Sequence, residues 1–374
     1  MRTILRPLSL TALAAVLAAA LPAADPADEL RMNQIQCLGT HNSYKQAIDP
    51  SLWQLLDQAN PGRFKGLEYS HRSLTEQLDH GLRKLEIDVV YDPEGGRYAK
   101  PLGLKMVADA GLPAGPAYDP EGLMLGPGLK VIHVPDIDFR TNVYTFQAAL
   151  AELKRWSDAH PRHLPIAILM NAKDRSIERP GFVPLLPFDK EAYDAWDAEI
   201  RKGLGADKLI TPDDVRGSHA TLEEAVLAHD WPKLGWARGR FLFVLDEHGD
   251  KMETYIEGHP SLRGRVMFAN AEEGRPEAAF RVVNNPVNDF DKIQSLVRAG
   301  YMVRTRADAD TREARSGETA RQEKAFASGA QYVSTDYWEP NPAFGTGYKA
   351  ELPGGGEGRW NPVAGPENPP SAKP

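Results

Sequence analysis

A polar pair directly follows a short apolar run in the stretch Cys37-Leu38-Gly39-Thr40-His41-Asn42-Ser43-Tyr44. The run from Ile35 to Leu38 predicts a β-strand that stops at Gly39. Histidine transfers protons near neutral pH, and asparagine offers a neutral oxygen to a hard cation. In a parallel barrel, catalytic groups stand just past the carboxyl ends of the strands. Taken alone, the stretch fits either an ordinary polar loop or the first part of an active site.

Several later segments also have the composition or the alternating period of β-strands, and helical patterns separate most of them. They are Leu82–Val90, Lys130–Val134, Pro165–Met170, Phe241–Asp246, Val266–Phe268, Tyr301–Arg304 and Ala330–Asp336. Apolar strands that alternate with helices indicate a parallel sheet with crossover helices. With the first strand, these segments predict an α/β fold whose sheet closes into a (β/α)8 TIM-like barrel, regular or distorted. An open doubly wound sheet is the alternative, although no G-x-G-x-x-G turn follows the first strand.

Two long excursions interrupt the alternation of strands and helices. Residues Asp92–Gly128 lack a clear period and predict a structureless insertion after strand 2, and residues 175–239 form a second insertion after strand 4. A capping box at Ser73–Glu76 predicts a helix that ends at Gly81. The other predicted helices are Pro50–Gln58, Thr145–His160, Lys190–Lys202, Leu222–His229, Asp289–Ala299 and Glu318–Ser328.

The two ends of the chain differ in composition from the rest. Two arginines precede an apolar, Ala-rich run from Leu8 to Leu21, and this pattern predicts a signal peptide over residues 1–24. We therefore expect an exported protein, periplasmic or secreted, with an uncleaved anchor as the alternative. Residues 25–340 form the predicted catalytic barrel domain, and the Gly- and Pro-rich residues 341–374 form a predicted loose tail.

Charge and cysteine content exclude several classes of protein. The net charge of −8 and the lack of Lys/Arg clusters argue against a general nucleic-acid binder. Cys37 is the only cysteine, so neither an intramolecular disulfide nor a cysteine metal cluster can form within the chain. Because Cys37 lies in the predicted first strand, we expect it to be a small, buried hydrophobic residue.

Polar side chains recur at or just beyond the predicted carboxyl ends of the strands. Because these ends open onto one face of a parallel barrel, we expect the side chains to share one rim. Glu86 and Asp88 alternate with apolar residues and therefore point to the same face. Buried charges need partners, so a rim with this composition favours an active site. The rim residues are His41, Asn42, Glu86, Asp88, His133, Asn171, Lys173, Asp246, Arg304, Arg306 and Asp336.

The types of these residues favour a hard metal ion combined with proton transfer. Asn42, Glu86 and Asp88 carry oxygen donors, which suit Ca²⁺ or, less well, Mg²⁺. The two histidines are then free to act as a general base and a general acid. Positive groups on the rim would neutralise a phosphate, and a loop histidine approaches the same face. These candidates for substrate binding are Lys173, Arg304 and His71.

A serine nucleophile is the competing chemistry. The chain has no Gly-x-Ser-x-Gly elbow, and the sequence Gly217-Ser218-His219 lies in the second excursion rather than between a strand and a helix. A zinc hydrolase has equally little support, because no H-E-x-x-H or H-x-x-x-H helix pair is present.

The order of three motifs resembles the phosphatidylinositol-specific phospholipase C superfamily, specifically its secreted bacterial members of the calcium-dependent type. The motifs are His41-Asn42, Leu85-Glu86-Ile87-Asp88 and Val131-Ile132-His133. Residues 73–88 are similar to the family's second strand and the helix before it. The similarity extends from about Ile35 to Trp338 and is strongest before Asp174.

The resemblance implies a distorted (β/α)8 barrel with a calcium ion at the carboxyl ends of its strands. Metal-independent bacterial relatives carry an arginine near the place of Asp88, so the acidic residue here favours a cation. Eukaryotic relatives offer a glutamate where Asn171 stands, so Asn171 is either a weaker ligand or no ligand. The implied catalytic pair is His41 and His133, and the implied calcium ligands are Asn42, Glu86, Asp88 and Asn171.

The implied activity is cleavage of the phosphodiester bond of a phosphoinositide-like lipid through a cyclic inositol phosphate. A glycerophosphodiester phosphodiesterase, which uses water in place of a substrate hydroxyl, is one alternative. A barrel that binds a ligand without catalysis is another. The implied partners are a phospholipid or another small phosphodiester and, peripherally, a membrane surface. The sequence does not define the oligomeric state.

Overall fold

The computed structural model describes residues 25–371 and 373–374. The predicted signal peptide over residues 1–24 therefore lies outside the described residues. In the described part of the chain, no helix combines the length and apolar character needed to cross a membrane.

A nearly closed barrel of parallel strands forms the centre of the molecule. Around the barrel the strands run in the order β6-β5-β4-β2-β1-β9-β8-β7, and a parallel bridge between Ala269 and Ala278 links the two outermost strands. The predicted (β/α)8 TIM-like fold is confirmed. The strands are β1 Ile35–Thr40, β2 Lys84–Val90, β3 Lys130–Val131, β4 Ile166–Ala172, β5 Phe241–Leu245, β6 Met267–Ala269, β7 Phe280–Val282, β8 Met302–Arg306, β9 Tyr332–Thr335 and β10 Arg359–Trp360.

The predicted set of strands needs two corrections: one predicted strand is not part of the barrel, and one barrel strand was not predicted. The segment Lys130–Val134 is not a barrel strand: only β3 forms there, and it pairs antiparallel with the end of β2. The missing barrel strand is β7, whose three residues are too few to show a period. His133 therefore reaches the rim from a loop beyond β3 rather than from the end of a barrel strand.

Helices connect the strands close to the predicted positions. The capping box at Ser73 is present, because Ser73 Oγ accepts from the backbone of Glu76 and Glu76 accepts from the backbone of Ser73. The insertion after β2 is not structureless, since it contains α3. The helices are α1 Pro50–Ala59, α2 Leu74–Asp79, α3 Leu102–Asp109, α4 Phe146–Ala159, α5 Lys190–Leu204, α6 Pro212–Arg216, α7 Leu222–Leu227, α8 Leu234–Ala237, α9 Asp250–Ile256, α10 Phe290–Ala299, α11 Arg312–Ser316 and α12 Ala320–Ala327.

The C-terminal residues pack against the barrel, so the predicted loose tail is wrong. Strand β10 pairs antiparallel with the start of β1, opposing Trp360 to Ile35. Ala350 and Leu352 are buried in one hydrophobic cluster, and Tyr348 is buried in another. Glycine and proline in this segment thus shape an ordered path over the surface, which composition alone does not distinguish from disorder.

Gly39 lies where β1 approaches β2 most closely, and it provides a test of the strand pairing. Gly39 is opposite Lys84, and a Cβ atom at Gly39 would lie 2.1 Å from the Lys84 carbonyl oxygen. Because both strands are buried, we expect Gly39→Ala to lower the free energy of unfolding by about 3 kcal/mol or more. Urea unfolding monitored by circular dichroism measures this change.

Gly126 provides the matched control for this substitution. It has a φ of −74°, and its added Cβ would come no closer than 3.9 Å to another atom. Gly126→Ala should therefore change the stability by less than about 1 kcal/mol. Equal unfolding midpoints for the two variants would contradict the close approach of β1 and β2.

Candidate active site

His41 stands immediately after β1 and is fixed by groups from three other parts of the rim. Its Nδ1 lies 2.8 Å from Asp336 Oδ1, while its Nε2 lies 3.6 Å from Glu86 Oε1. Arg306 Nη1 approaches His41 Nε2 at 3.5 Å, and Arg306 Nη2 donates to Asp336 Oδ2 at 2.7 Å. The carboxylate of Asp336 thus orients the ring and leaves Nε2 directed toward the rim.

The surroundings of His41 favour its neutral form. Burial lowers the pKa of His41 below its ordinary value of 6.5, and the positive charge of Arg306 lowers it further. The carboxylates of Asp336 and Glu86 oppose this shift without reversing it. Asp336 itself stays ionised, because the charge of Arg306 and the hydrogen bond with His41 outweigh burial and hold its pKa well below the usual range. A neutral imidazole backed by a carboxylate is the arrangement of a general base.

His133 is oriented in the same way by a different carboxylate. Its Nδ1 lies 2.7 Å from Asp138 Oδ2, which leaves Nε2 for an incoming group. Asp138 Oδ1 in turn lies 3.3 Å from Nζ of Lys45, which is fully buried and donates to the carbonyl oxygens of Leu67 and Tyr69. Lys45 therefore links the loop after β1 to the support of His133, so the two histidines are held by one connected framework.

Glu86 is buried at the centre of the rim and is kept ionised. Lys84 Nζ and Arg304 Nη2 contact its Oε2 at 2.5 and 2.7 Å. Burial raises the pKa of Glu86, but the charges of Lys84 and Arg304 outweigh this and hold the pKa well below the usual value. The other oxygen, Oε1, faces His41 and lies 3.4 Å from Asn171 Nδ2. One carboxylate oxygen of Glu86 thus remains directed at the site.

Asp88 and Asn171 stand next to Glu86 and face each other across β2 and β4. The register pairs Asp88 with Asn171, and Asn171 Nδ2 lies 2.9 Å from Asp88 Oδ1. Asp88 Oδ2 is buried and accepts no well-formed hydrogen bond, although Lys173 Nζ lies 2.8 Å from it. The Lys173 side chain is 34% exposed, so it has room to move away from Asp88.

Asn42 is buried beside His41 in the left-handed backbone region, at a φ of 48°. Its Nδ2 donates to the hydroxyl of Tyr69 at 2.7 Å, which fixes the plane of the amide. The ring of Tyr69 also lies 6.0 Å from the ring of His41. Because its nitrogen is held by Tyr69, the Asn42 amide offers its oxygen as the free end.

Two predicted substrate contacts occupy other places in the structure. His71 is buried, its Nε2 lies 2.9 Å from the carbonyl oxygen of His41, and its Nδ1 accepts from the indole of Trp338. Burial lowers the pKa of His71 to about 4, so this ring is neutral and supports the loop that carries His41. Arg304 is likewise buried, and its guanidinium is committed to Glu86, Ser334 and Asn284. Neither residue is placed to contact a substrate directly.

Only some of the residues that orient His41 and His133 could be predicted from the sequence. Arg306 and Asp336 belong to the predicted rim, but their pairing with His41 was not predicted. Asp138, Lys45 and Tyr69 were missed, because each lies in a loop without periodicity. An acidic residue five positions after His133 was the only available signal for Asp138.

Three of the predicted ligands, Glu86, Asp88 and Asn171, fit a hard cation in their chemistry and placement. Glu86 Oε1, the Asp88 carboxylate and the Asn171 amide converge within hydrogen-bond distance, and the buried Oδ2 of Asp88 is paired with the partly exposed Lys173. The oxygen and nitrogen of an asparagine amide can exchange places by rotation, which would turn the Asn171 oxygen toward the same point. Among the described residues, no group of three or more His, Cys, Asp or Glu side chains could hold a metal, so amide oxygens are needed to complete this set.

Comparisons with known proteins identify the family of this chain. The family model for Ca²⁺-dependent phosphoinositide phospholipase C matches residues 30–362. The chain belongs to this family, whose members are phosphodiesterases that depend on calcium. No curated protein matches the sequence closely enough to be recognised by similarity.

Two solved structures with the same fold come from bacteria. A calcium-dependent phosphatidylinositol-specific phospholipase C from Streptomyces antibioticus has a TM-score of 0.52 and 18% identity, with 85% of this chain and 97% of that chain covered. A calcium-dependent phosphoinositol-specific phospholipase C from a Pseudomonas species has a TM-score of 0.51 and 17% identity, with 83% and 92% covered. At these identities, the structural similarity shows the shared barrel fold.

Proposed function

We propose that this enzyme cleaves the phosphodiester bond of a phosphoinositide-like lipid, with His41 and His133 as its proton-transfer pair. The observation that carries this proposal is the matched orientation of the two rings. Each histidine has its Nδ1 held by a carboxylate, from Asp336 or Asp138, and directs Nε2 toward one rim. General acid–base catalysis of phosphoryl transfer needs two such groups on opposite sides of the phosphorus.

His41 is proposed as the general base. Its lowered pKa keeps Nε2 unprotonated near neutral pH, so it can accept the proton of a substrate hydroxyl. That hydroxyl, on the carbon next to the phosphorylated carbon of the inositol ring, then attacks phosphorus and closes a cyclic phosphate. Asp336 stabilises the imidazolium that forms, because its carboxylate lies 2.8 Å from Nδ1.

His133 is proposed as the general acid. As the new phosphorus–oxygen bond forms, the bond from phosphorus to the glycerol oxygen breaks. Protonated His133 delivers its Nε2 proton to that oxygen, so diacylglycerol leaves as a neutral alcohol. Asp138 holds the charged ring in place before the transfer. Water can later open the cyclic phosphate by the reverse use of the two histidines.

Asn42, Glu86, Asp88 and Asn171 are proposed to hold the calcium ion that the family requires. When bound, Ca²⁺ neutralises a non-bridging phosphate oxygen and makes the attacking hydroxyl more acidic. Glu86 is already ionised, so it binds a cation without releasing a proton. Lys173 is proposed to exchange its contact with Asp88 for the substrate phosphate, since its side chain is the exposed partner of that ion pair.

Export and contact with a membrane surface are also proposed. The arginines and the apolar run within residues 1–24 support a signal peptide, and the barrel domain would then begin near residue 25. A lipid substrate brings the open face of the barrel to a membrane surface, and the insertion after β2 lies on that face because it follows the carboxyl end of β2.

Product analysis tests the proposed reaction. With Ca²⁺ present, we expect phosphatidylinositol to give diacylglycerol and a cyclic inositol phosphate, which phosphorus NMR distinguishes from the open monophosphate. Glycerophosphoinositol should not release free glycerol-3-phosphate. Release of glycerol-3-phosphate without a cyclic product would instead support a glycerophosphodiester phosphodiesterase. Binding of the lipid without turnover would support a non-catalytic barrel.

A further inference from the structure

A cavity of about 370 Å³ opens from the cation site on the side of His133. Of the two histidines, His133 borders this cavity and His41 does not, within the part of the chain that the structure describes. Asn171 and Lys173 line the cavity next to the proposed cation site, and another part of the lining is apolar. The apolar wall consists mainly of Ile177, Phe182 and Leu185.

The apolar wall belongs to residues 175–187, the segment between β4 and α5. Val183 N donates to Asp136 Oδ2 at 2.7 Å, and Leu185 N donates to Ser176 Oγ at 2.9 Å. Asp136 lies in the loop that carries His133, and its Oδ1 also accepts from Leu102 N at the start of α3. The wall is therefore tied to the His133 loop, and its position relative to that histidine is fixed.

The two lysines that line the cavity are already paired with carboxylates, whereas Arg175, also in the lining, is exposed to solvent. Lys173 contacts Asp88 at 2.8 Å, and Lys251 contacts Asp174 at 2.8 Å and Glu247 at 3.2 Å. Further phosphate groups would have to compete for these lysines. The cavity thus suits a ligand that is polar at the cation site and apolar farther out.

The opposite side of the rim has a different chemistry. Beyond β5 and β6, Asn270 Nδ2 lies 2.9 Å from Asp246 Oδ1 and 3.1 Å from His248 Nε2. Beyond β7, Asn284 accepts from Arg304. Donors and acceptors of this kind match a polyol ring, whereas the 175–187 wall matches alkyl chains.

We infer that the cavity beside His133 is the subsite for the leaving alcohol and that residues 175–187 select an alcohol with an apolar chain. This inference rests on the proposed function, in which His133 protonates the departing oxygen. An alcohol released at His133 Nε2 enters the cavity that this histidine borders, whose lining includes Ile177 and Phe182. The segment is a determinant of specificity for the leaving group and not for the headgroup.

Soluble esters test this assignment without a membrane. The substrates are myo-inositol phosphodiesters whose leaving alcohol is methanol, butanol or octanol, each used below its aggregation concentration with Ca²⁺ present. For the unmodified enzyme, we expect kcat/KM to rise by about two- to fourfold for each of the first methylenes. In Phe182→Ser and Ile177→Ser, the octyl-to-methyl ratio of kcat/KM should fall by about tenfold or more.

Leu125→Ser is the matched control, because Leu125 is 65% exposed in the insertion after β2 and lies outside the cavity. Its octyl-to-methyl ratio should equal that of the unmodified enzyme. Ile177 is only partly buried and supplies a second variant should Phe182→Ser not fold.

Three outcomes overturn the inference in different ways. If the unmodified enzyme cleaves all three esters at one rate, no apolar leaving-group subsite exists. If the wall variants lose hydrolysis of cyclic inositol phosphate, which has no leaving chain, as strongly as cleavage of the octyl ester, the cavity holds the headgroup. If the unmodified enzyme cleaves none of the esters and not phosphatidylinositol either, the proposed function itself fails.

Discussion

His41→Asn and His133→Asn will each lower kcat for phosphatidylinositol cleavage by about 10²–10⁴-fold, the usual contribution of one general acid or base. Asparagine retains a polar group close to the ring position but cannot accept and release a proton near neutral pH. Both rings lie at the surface of the site, with side chains 19% and 14% exposed, so the fold should tolerate the change. Steady-state kinetics and thermal unfolding of the two variants measure these effects.

His219→Asn is the control for general effects of replacing a histidine. His219 pairs with Asp230 near α7, in the connection that leads to the amino-terminal end of β5 and hence away from the site. Its kcat should remain within about twofold of the unmodified value, as for other surface changes. Catalytic variants that retained full activity would remove both histidines from the mechanism.

The pH dependence separates the base from a merely structural histidine. His41 acts as a base only when neutral, and burial lowers its pKa from the ordinary value. Activity should therefore persist to a lower pH than an ordinary histidine would allow, and fall as the pH decreases through the pKa of His41. Asp336→Asn removes a charge and a hydrogen bond that raise the pKa of His41, so the acid limb should move to still lower pH while kcat decreases. An unchanged acid limb would contradict the role of Asp336.

Removal of calcium, or of a proposed carboxylate ligand, should lower the activity. EDTA should abolish activity, and Asp88→Asn should raise the Ca²⁺ concentration for half-maximal activity by about 100-fold or more, since even residues behind a metal ligand contribute about 10–100-fold. Asp88 supplies one of the two carboxylates in the proposed set, and its buried Oδ2 is paired with Lys173, which is partly exposed and can move away. Calorimetric titration with Ca²⁺ tests the same loss without substrate.

Asp174→Asn provides a matched control on the same rim. Asp174 follows β4 and pairs with Lys251, so the same loss of charge occurs outside the proposed ligand set. Its Ca²⁺ affinity should change by less than about threefold, because the Asp174 carboxylate is already paired with Lys251 and is not one of the proposed ligands.

A substitution at Asn171 tests whether this residue is a calcium ligand or not. Asn171→Asp adds a charge where Asn171 meets Asp88 and Glu86. If Asn171 is a ligand, the calorimetric affinity should increase, because affinity for Ca²⁺ rises with the number of charged ligands. A decrease, caused by repulsion among three carboxylates, would show that Asn171 is not a ligand.

The sequence predicted most reliably the strands whose residue pattern is periodic. The buried run of β4 and the alternation of β2 carry their own periodic signal, so both strands lie where they were expected. Strand β7 has only three residues and Arg281 in the middle, and its pairing depends on β8 rather than on local pattern. The insertion after β2 contains α3, although its glycines and prolines had suggested a loop.

In the candidate site, too, local patterns could be predicted from the sequence but contacts between distant residues could not. His41 and the carboxylates at strand ends could be named from the sequence, because their positions follow from the strand period, whereas His133 lies in a loop beyond β3. Their partners could not, since the contact between His41 and Asp336 spans 295 residues and the one between Lys45 and Asp138 joins two loops. For the same reason, His71 was expected to face the substrate, whereas it lies beneath His41.

The position of β1 also determines when this enzyme can become complete. Strand β1 lies between β2 and β9 in the barrel, and its first residues also pair with β10. During synthesis, the strand that precedes His41 therefore has one edge open until β9 and β10 have been made. Contacts of such large sequence separation are slow to form and leave strand edges exposed to other chains in the meantime. Assembly of the active site is thus a late event in folding, which depends on strands β9 and β10.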